Sequence, residues 1–142
     1  MIKIYSRGDI NKLCHIIVKK DDIITERTDI ISPDNFLQLS TLRLQNGKTF
    51  KPHKHIWKKG EEKVIAQESW VVIEGKVNVT YYDDVLHDTP LGNYIIGPGD
   101  CSITLFGGHT YEAIGECVVY EFKTGPYKGQ KMDKVFIDES AI

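Results

Sequence analysis

Two histidines one residue apart, His53 and His55, close the segment Gly47-Lys-Thr-Phe-Lys-Pro-His-Lys-His. Side chains alternate along an extended chain, so these two share a face. Both imidazoles can therefore reach one ion, and neutral imidazole is a common ligand for Zn, Fe, Ni, Cu and Mn. Surface strands also carry His-x-His by chance, so the pair needs company. In Gln67-Glu-Ser-Trp-Val-Val-Ile-Glu-Gly75, Glu68 shares a strand face with Trp70 and Val72, opposite Ser69, Val71 and Ile73. A carboxylate on such a face is costly to bury without compensation, and a metal ion compensates it. In Gly97-Pro-Gly-Asp-Cys-Ser-Ile-Thr-Leu-Phe-Gly-Gly-His109 the paired glycines allow a tight turn, after which His109, Tyr111 and Ala113 line one face of a strand.

Further polar residues are candidates for the same pocket. Arg43 and Gln45 lie on the strand before His53, and Tyr120 lies on the last strand. Arg43 can clamp a carboxylate or phosphate, or it can be an outward surface arginine. Tyr111 follows His109 on its face and is the best candidate for a general acid or a supporting residue, the alternative being plain core packing. His15 and His87 have no partners in any motif and read as surface residues.

These residues need strands to hold them, and the sequence supplies strand signals. The chain has 142 residues, 41% hydrophobic and 27% charged, with 12 Gly and 5 Pro, which fits one turn-rich domain able to bury a core without metal or disulfide staples. Short runs rich in Val, Ile, Thr, Tyr and Phe are expected as strands over 36–45, 49–56, 63–66, 68–73, 76–82, 91–96, 101–105, 110–114 and 116–123. Turn signals such as Asn46-Gly47, Glu74-Gly75, Gly107-Gly108 and Gly115 separate them. The expected division is an N-terminal strand arm at 1–35, a barrel at 36–124 and a tail at 125–142 packed along the outside. With 18 basic and 20 acidic residues the formal charge is -2, which argues against a nucleic-acid binder or a protein bound to anionic membranes. No secretory signal or membrane span is visible, and the 3 Cys include no C-x-x-C pair, so reduced, mostly buried thiols and a cytoplasmic location are expected.

Taken together, these segments resemble the cupin superfamily. Its first motif, Gly, five residues, His-x-His, then Glu, six residues, Gly, is matched by Gly47, His53, His55, Glu68 and Gly75. The sequence departs from it in the gap from Ile56 to Gln67, which is longer than the usual three or four residues. The second motif is matched by Gly99, Gly107 and His109, with Leu105 in place of its proline, the histidine one residue early and Ala113 where asparagine is usual. The resemblance implies an all-β double-stranded β-helix (a jelly-roll barrel) with His53, His55, Glu68 and His109 holding a divalent transition metal: Zn, Fe, Ni or Mn. The long gap reads as an extra hairpin turning at Lys59-Gly60. Glu61 and Glu62 in it are rival carboxylates to Glu68, and a register slip would bring in Gln67.

Leu37-Gln-Leu, Gly107-Gly-His-Thr-Tyr, and Glu121 to Tyr127 followed by Asp133-Lys134 are similar to small bacterial cupins of surface-polysaccharide and nucleotide-sugar gene clusters. That likeness implies a small sugar-related substrate and an isomerase or epimerase step. Two other readings stand beside it: an iron-dependent dioxygenase acting on a small acid or thiol, and a non-catalytic sugar- or metal-binding regulatory module. One fold hosts all three. The arm also resembles the swapped edge strand of dimeric cupins, so a homodimer is expected.

Overall fold

Two long strands carry the architecture, and their side-chain alternation explains how. The computed structural model describes residues 1–58, 64–84 and 89–137. Its strands are β1 (Ile2–Tyr5), β2 (Leu13–Ile17), β3 (Arg27–Asp29), β4 (Leu37–Leu44), β5 (His53–His55), β6 (Trp57–Lys58), β7 (Val64–Ile65), β8 (Glu68–Tyr82), β9 (Pro90–Ile96), β10 (Cys101–Thr104), β11 (Gly108–Thr124) and β12 (Lys134–Phe136).

Along the first half of β8, Glu68, Trp70 and Val72 are buried; past its middle Val77 and Val79 are buried, and Tyr82 is buried at its end beyond a register shift. The inward parity therefore switches from even to odd, and it does so at Gly75. Gly75 has φ +76, and a Cβ there would collide with the Glu116 carbonyl oxygen. Only glycine fits this left-handed, tightly approached position. The ladder between β8 and β11 changes register here, from Ile114↔Lys76 to Val118↔Glu74 and then Val119↔Val72, the mark of a β-bulge. Turns were expected at Glu74-Gly75 and Gly115. Instead both strands run through, because a positive-φ glycine serves a bulge as well as a turn and each strand has the other as a continuous partner.

The bend sends each long strand from one layer to the other. One layer runs β3, β4, the second half of β11, the first half of β8, and β10. The facing layer runs β12, β5, the first half of β11, the second half of β8, and β9. Leu42, Leu44, Trp70, Val72, Val77, Val79, Tyr111, Ala113, Cys117 and Val119 pack between them. Fully burying a side chain of Val or Leu size is worth about 1.5–3 kcal/mol, so this interior dominates the stabilisation. The all-β barrel expected from the sequence is the one observed.

The chain ends differ from expectation in detail. Within 1–35, β1 and β2 pair only with each other among the described residues, while β3 extends the barrel sheet by pairing with β4. The tail does more than lie along the outside, since β12 pairs with β5, placing Lys134 opposite His55 and Phe136 opposite His53. This pairing covers the edge of β5 that β11 leaves open. The long gap does form a strand pair, Trp57↔Ile65 and Lys58↔Val64. Its expected turn at Lys59-Gly60, the rival carboxylates Glu61 and Glu62, and His87 lie outside the described residues. Cys117 is buried, but Cys14 and Cys101 are exposed, Cys101 because it takes the outward parity of β10. Among the described residues no helix is long and apolar enough to cross a membrane.

Candidate metal centre

The barrel brings His53 and His55 from β5, Glu68 from the start of β8 and His109 from the start of β11 into one buried cluster. One ligand atom from each lies within 4.8 Å of the others. None of the four is more than 6% exposed. Strand pairing sets this geometry: His109 is the cross-strand partner of His53, and inward parity turns His55 and Glu68 toward each other from the two layers. Gln67 is exposed, as the alternation from Glu68 requires.

The two faces of each imidazole have different partners. His53 Nδ1 lies 3.0 Å from the Lys51 carbonyl oxygen, an acceptor only, so Nδ1 carries the proton and Nε2 faces the cluster with its lone pair. His55 Nδ1 lies 3.1 Å from Asp133 Oδ2, which likewise turns Nε2 inward. Glu68 sits between two rings, with Oε2 3.3 Å from His55 Nε2 and Oε1 3.3 Å from His109 Nε2. These approaches lack hydrogen-bond alignment, and His55 Nε2 and both ring nitrogens of His109 have no hydrogen-bond partner among the described residues. An orphaned buried polar atom costs about 1–3 kcal/mol. A cation among the four residues would satisfy the inward nitrogens and the carboxylate at once. The donor set of imidazoles and one carboxylate fits a divalent transition metal.

The electrostatics favour a ligand form at His53 and Glu68. Burial, reinforced by His109 and Lys134, pushes the His53 imidazole from 6.5 down to about 3, so it is a neutral ligand. Burial works against a charged Glu68, but contacts with His109 and His55 outweigh it and hold the carboxyl well below its ordinary range. At His55 burial is likewise outweighed, and Asp133 and Glu68 raise the imidazole.

Asp133 was not singled out as a site residue. It is fully buried, bonds His55, and faces Lys123 Nζ at 3.2 Å and Lys58 Nζ at 3.3 Å. Despite burial, His55 and these ammonium groups hold its carboxyl below the usual range. A carboxylate behind a metal-facing histidine fixes the ring's tautomer and direction. The sequence resemblance includes Asp133-Lys134 but gives them no role at the site, because only the pairing of β12 with β5 brings the tail to the cluster. The same pairing places Lys134 Nζ 3.2 Å from His53 Nε2.

The cluster opens into a cavity of about 400 Å³ whose wall includes Arg27, Ser40, Trp70, Glu121, Tyr127 and Lys134. Tyr111 lines it as well. Its ring stacks on Trp70 with centroids 4.0 Å apart, its hydroxyl lies 3.1 Å from Ser102 Oγ, and burial raises it so that it keeps its proton. Arg43 does not reach the cavity. Its odd position on β4 points away from inward-facing Leu42 and Leu44, and it donates to the Ile23 carbonyl at 2.7 Å and pairs with Glu116. Arg27, in the stretch read as arm, is the arginine at the cavity, held by Glu121 at 2.8 Å and by Ser40 at 2.7 Å.

No family model matches the chain, and no curated protein matches it. Solved structures do. An uncharacterized conserved protein with a double-stranded beta-helix domain from Klebsiella pneumoniae superposes with TM-score 0.65 at 12% identity, over 97% of this chain and 100% of that one. KdgF from Halomonas sp. gives TM-score 0.55 at 14% identity, over 72% of this chain and 79% of that one. The capsular polysaccharide assembling protein CapF from Staphylococcus aureus gives TM-score 0.58 at 20% identity, over 79% of this chain and 29% of CapF. The fold these structures share with the chain is a double-stranded β-helix.

Proposed function

We propose that this chain is a metal-dependent cupin enzyme acting on a small polar, carbohydrate-derived molecule, with an isomerase- or epimerase-type step. The observation that carries it is the buried cluster of His53, His55, Glu68 and His109 at the base of a cavity walled by both charged and aromatic side chains. A divalent ion held there supplies Lewis-acid polarisation of a substrate oxygen. Trp70 and Tyr127 line the cavity, and Tyr111 holds a proton beside the cluster as the candidate donor. The likeness of fold to CapF, described as assembling capsular polysaccharide, supports a sugar-related substrate.

The test is a turnover screen of metal-loaded protein against sugars, sugar acids and nucleotide sugars, with and without O2. Turnover of one of them without O2, reduced at least about tenfold by Tyr111→Phe through loss of a general acid, is the expected result. Turnover only with O2 and iron would replace this reading with the dioxygenase. Tight binding without turnover would leave a binding module.

We also propose a homodimer. Among the described residues the pair β1 and β2 joins no other strand, and it exposes Ile2, Ile4, Tyr5, Leu13 and Ile17. An isolated two-stranded sheet is marginal in water. Beside it an apolar groove of about 670 Å³ runs past Leu37, Leu39 and Phe122. A second copy covering this face predicts a light-scattering mass of twice the 16.2 kDa chain, and a single-chain mass at micromolar concentration would refute it.

A further inference from the structure

One cation at the cavity forms no ion pair among the described residues. Arg27 is held by Glu121 and Asp29, and Lys123 by Asp133. Lys134 also lines the cavity, and among the described residues it has no ion-pair partner; its contact is with His53 Nε2 at 3.2 Å. That nitrogen is the lone pair His53 offers to an ion, because its other nitrogen is committed to the Lys51 carbonyl. One lone pair cannot serve both an ammonium group and a metal. When an ion is held, Lys134 loses its acceptor and gains a positive neighbour inside a partly buried cavity, an arrangement that calls for an added negative charge.

We propose that the cavity takes small carboxylates, sugar acids among them, and that Lys134 is the specificity-determining residue that favours an acid over its neutral counterpart. This rests on the metal-site reading. The wall fits such a ligand: Lys134 supplies the charge, while Tyr127 and Gln130 line the same cavity for the uncharged part of the molecule. Arg27 does not compete for the carboxylate, because its guanidinium is already bonded by both oxygens of Glu121.

The test uses Co2+-loaded full-length protein, reading the visible spectrum of the ion and binding heat. The probes are glycolate and D-glucuronate, each against its neutral counterpart, glycolamide and D-glucose. At least one acid is expected to shift the spectrum and to bind at least about tenfold more tightly than its counterpart, the discrimination a charged contact gives. Lys134→Met is expected to remove that tenfold preference while Co2+ is retained, and Lys134→Arg to restore part of it. The proposal is overturned if neither acid binds, if the neutral counterparts bind equally well, or if Lys134→Met keeps the preference. It is also overturned if Lys134→Met no longer takes up Co2+, which would make Lys134 structural. Wild-type protein that takes up no Co2+ would overturn the metal-site reading itself, an outcome distinct from the others.

Discussion

Protein carrying His53→Ala together with His55→Ala is expected to hold no divalent metal, and the unaltered chain is expected to hold close to one ion per chain. The two rings supply half of the cluster of His53, His55, Glu68 and His109, and what remains is one imidazole and one carboxylate. Such a pair leaves a divalent ion short of the four-coordinate shell typical of zinc sites. The effect is large because the site is prepared in advance. Burial keeps His53 neutral, and Lys51 and Asp133 fix which nitrogen each ring turns inward. Elemental analysis after dialysis against chelator and reconstitution checks the expectation, with a thermal melt confirming that the variant is folded. No metal in the unaltered chain after reconstitution would sink the metal reading and leave the cavity as an acid-base or binding site.

The second large effect is expected at Asp133. Replacing it by Asn keeps the size and removes the charge. Loss of a hydrogen-bonding partner behind a ligating histidine costs about 10–100-fold in metal affinity, which is the drop expected for Asp133→Asn. Stability should fall too, because Lys58 and Lys123 are 13% and 11% exposed and both face this carboxylate. Breaking a buried ion pair by removing one partner costs about 3–5 kcal/mol. Competition with a chromogenic chelator measures the first effect and denaturant unfolding of metal-free protein the second. Unchanged metal affinity would show that His55 needs no support from the tail. Loss of stability alone would assign Asp133 to the fold and not to the site.

The two variants probe different levels of legibility. His53, His55, Glu68 and His109 could be picked out because their immediate neighbours encode their direction: i and i+2 on a strand share a face, and Glu68 stands among Trp70 and Val72. Arg43 failed for the same kind of reason. Its parity against Leu42 and Leu44 already points it outward, and a pocket role required ignoring that alternation. Gly75 shows a subtler limit. A positive-φ glycine was foreseeable, but turn or bulge depends on whether a partner strand continues past it, and β11 does.

Asp133, Lys134 and Arg27 mark what lies beyond local pattern. They stand far from His53 in sequence and reach the cluster or its cavity through pairings of β12 with β5 and of β3 with β4. The sequence by itself determined a single all-β domain and four residues able to meet at one ion, since alternation and turn chemistry act over a few residues. Tertiary structure alone decided which groups stand behind those four and which cation faces the ligand. Long-range strand register has no local code; it is set by whichever edge remains to be covered, and here the tail covers the edge of β5.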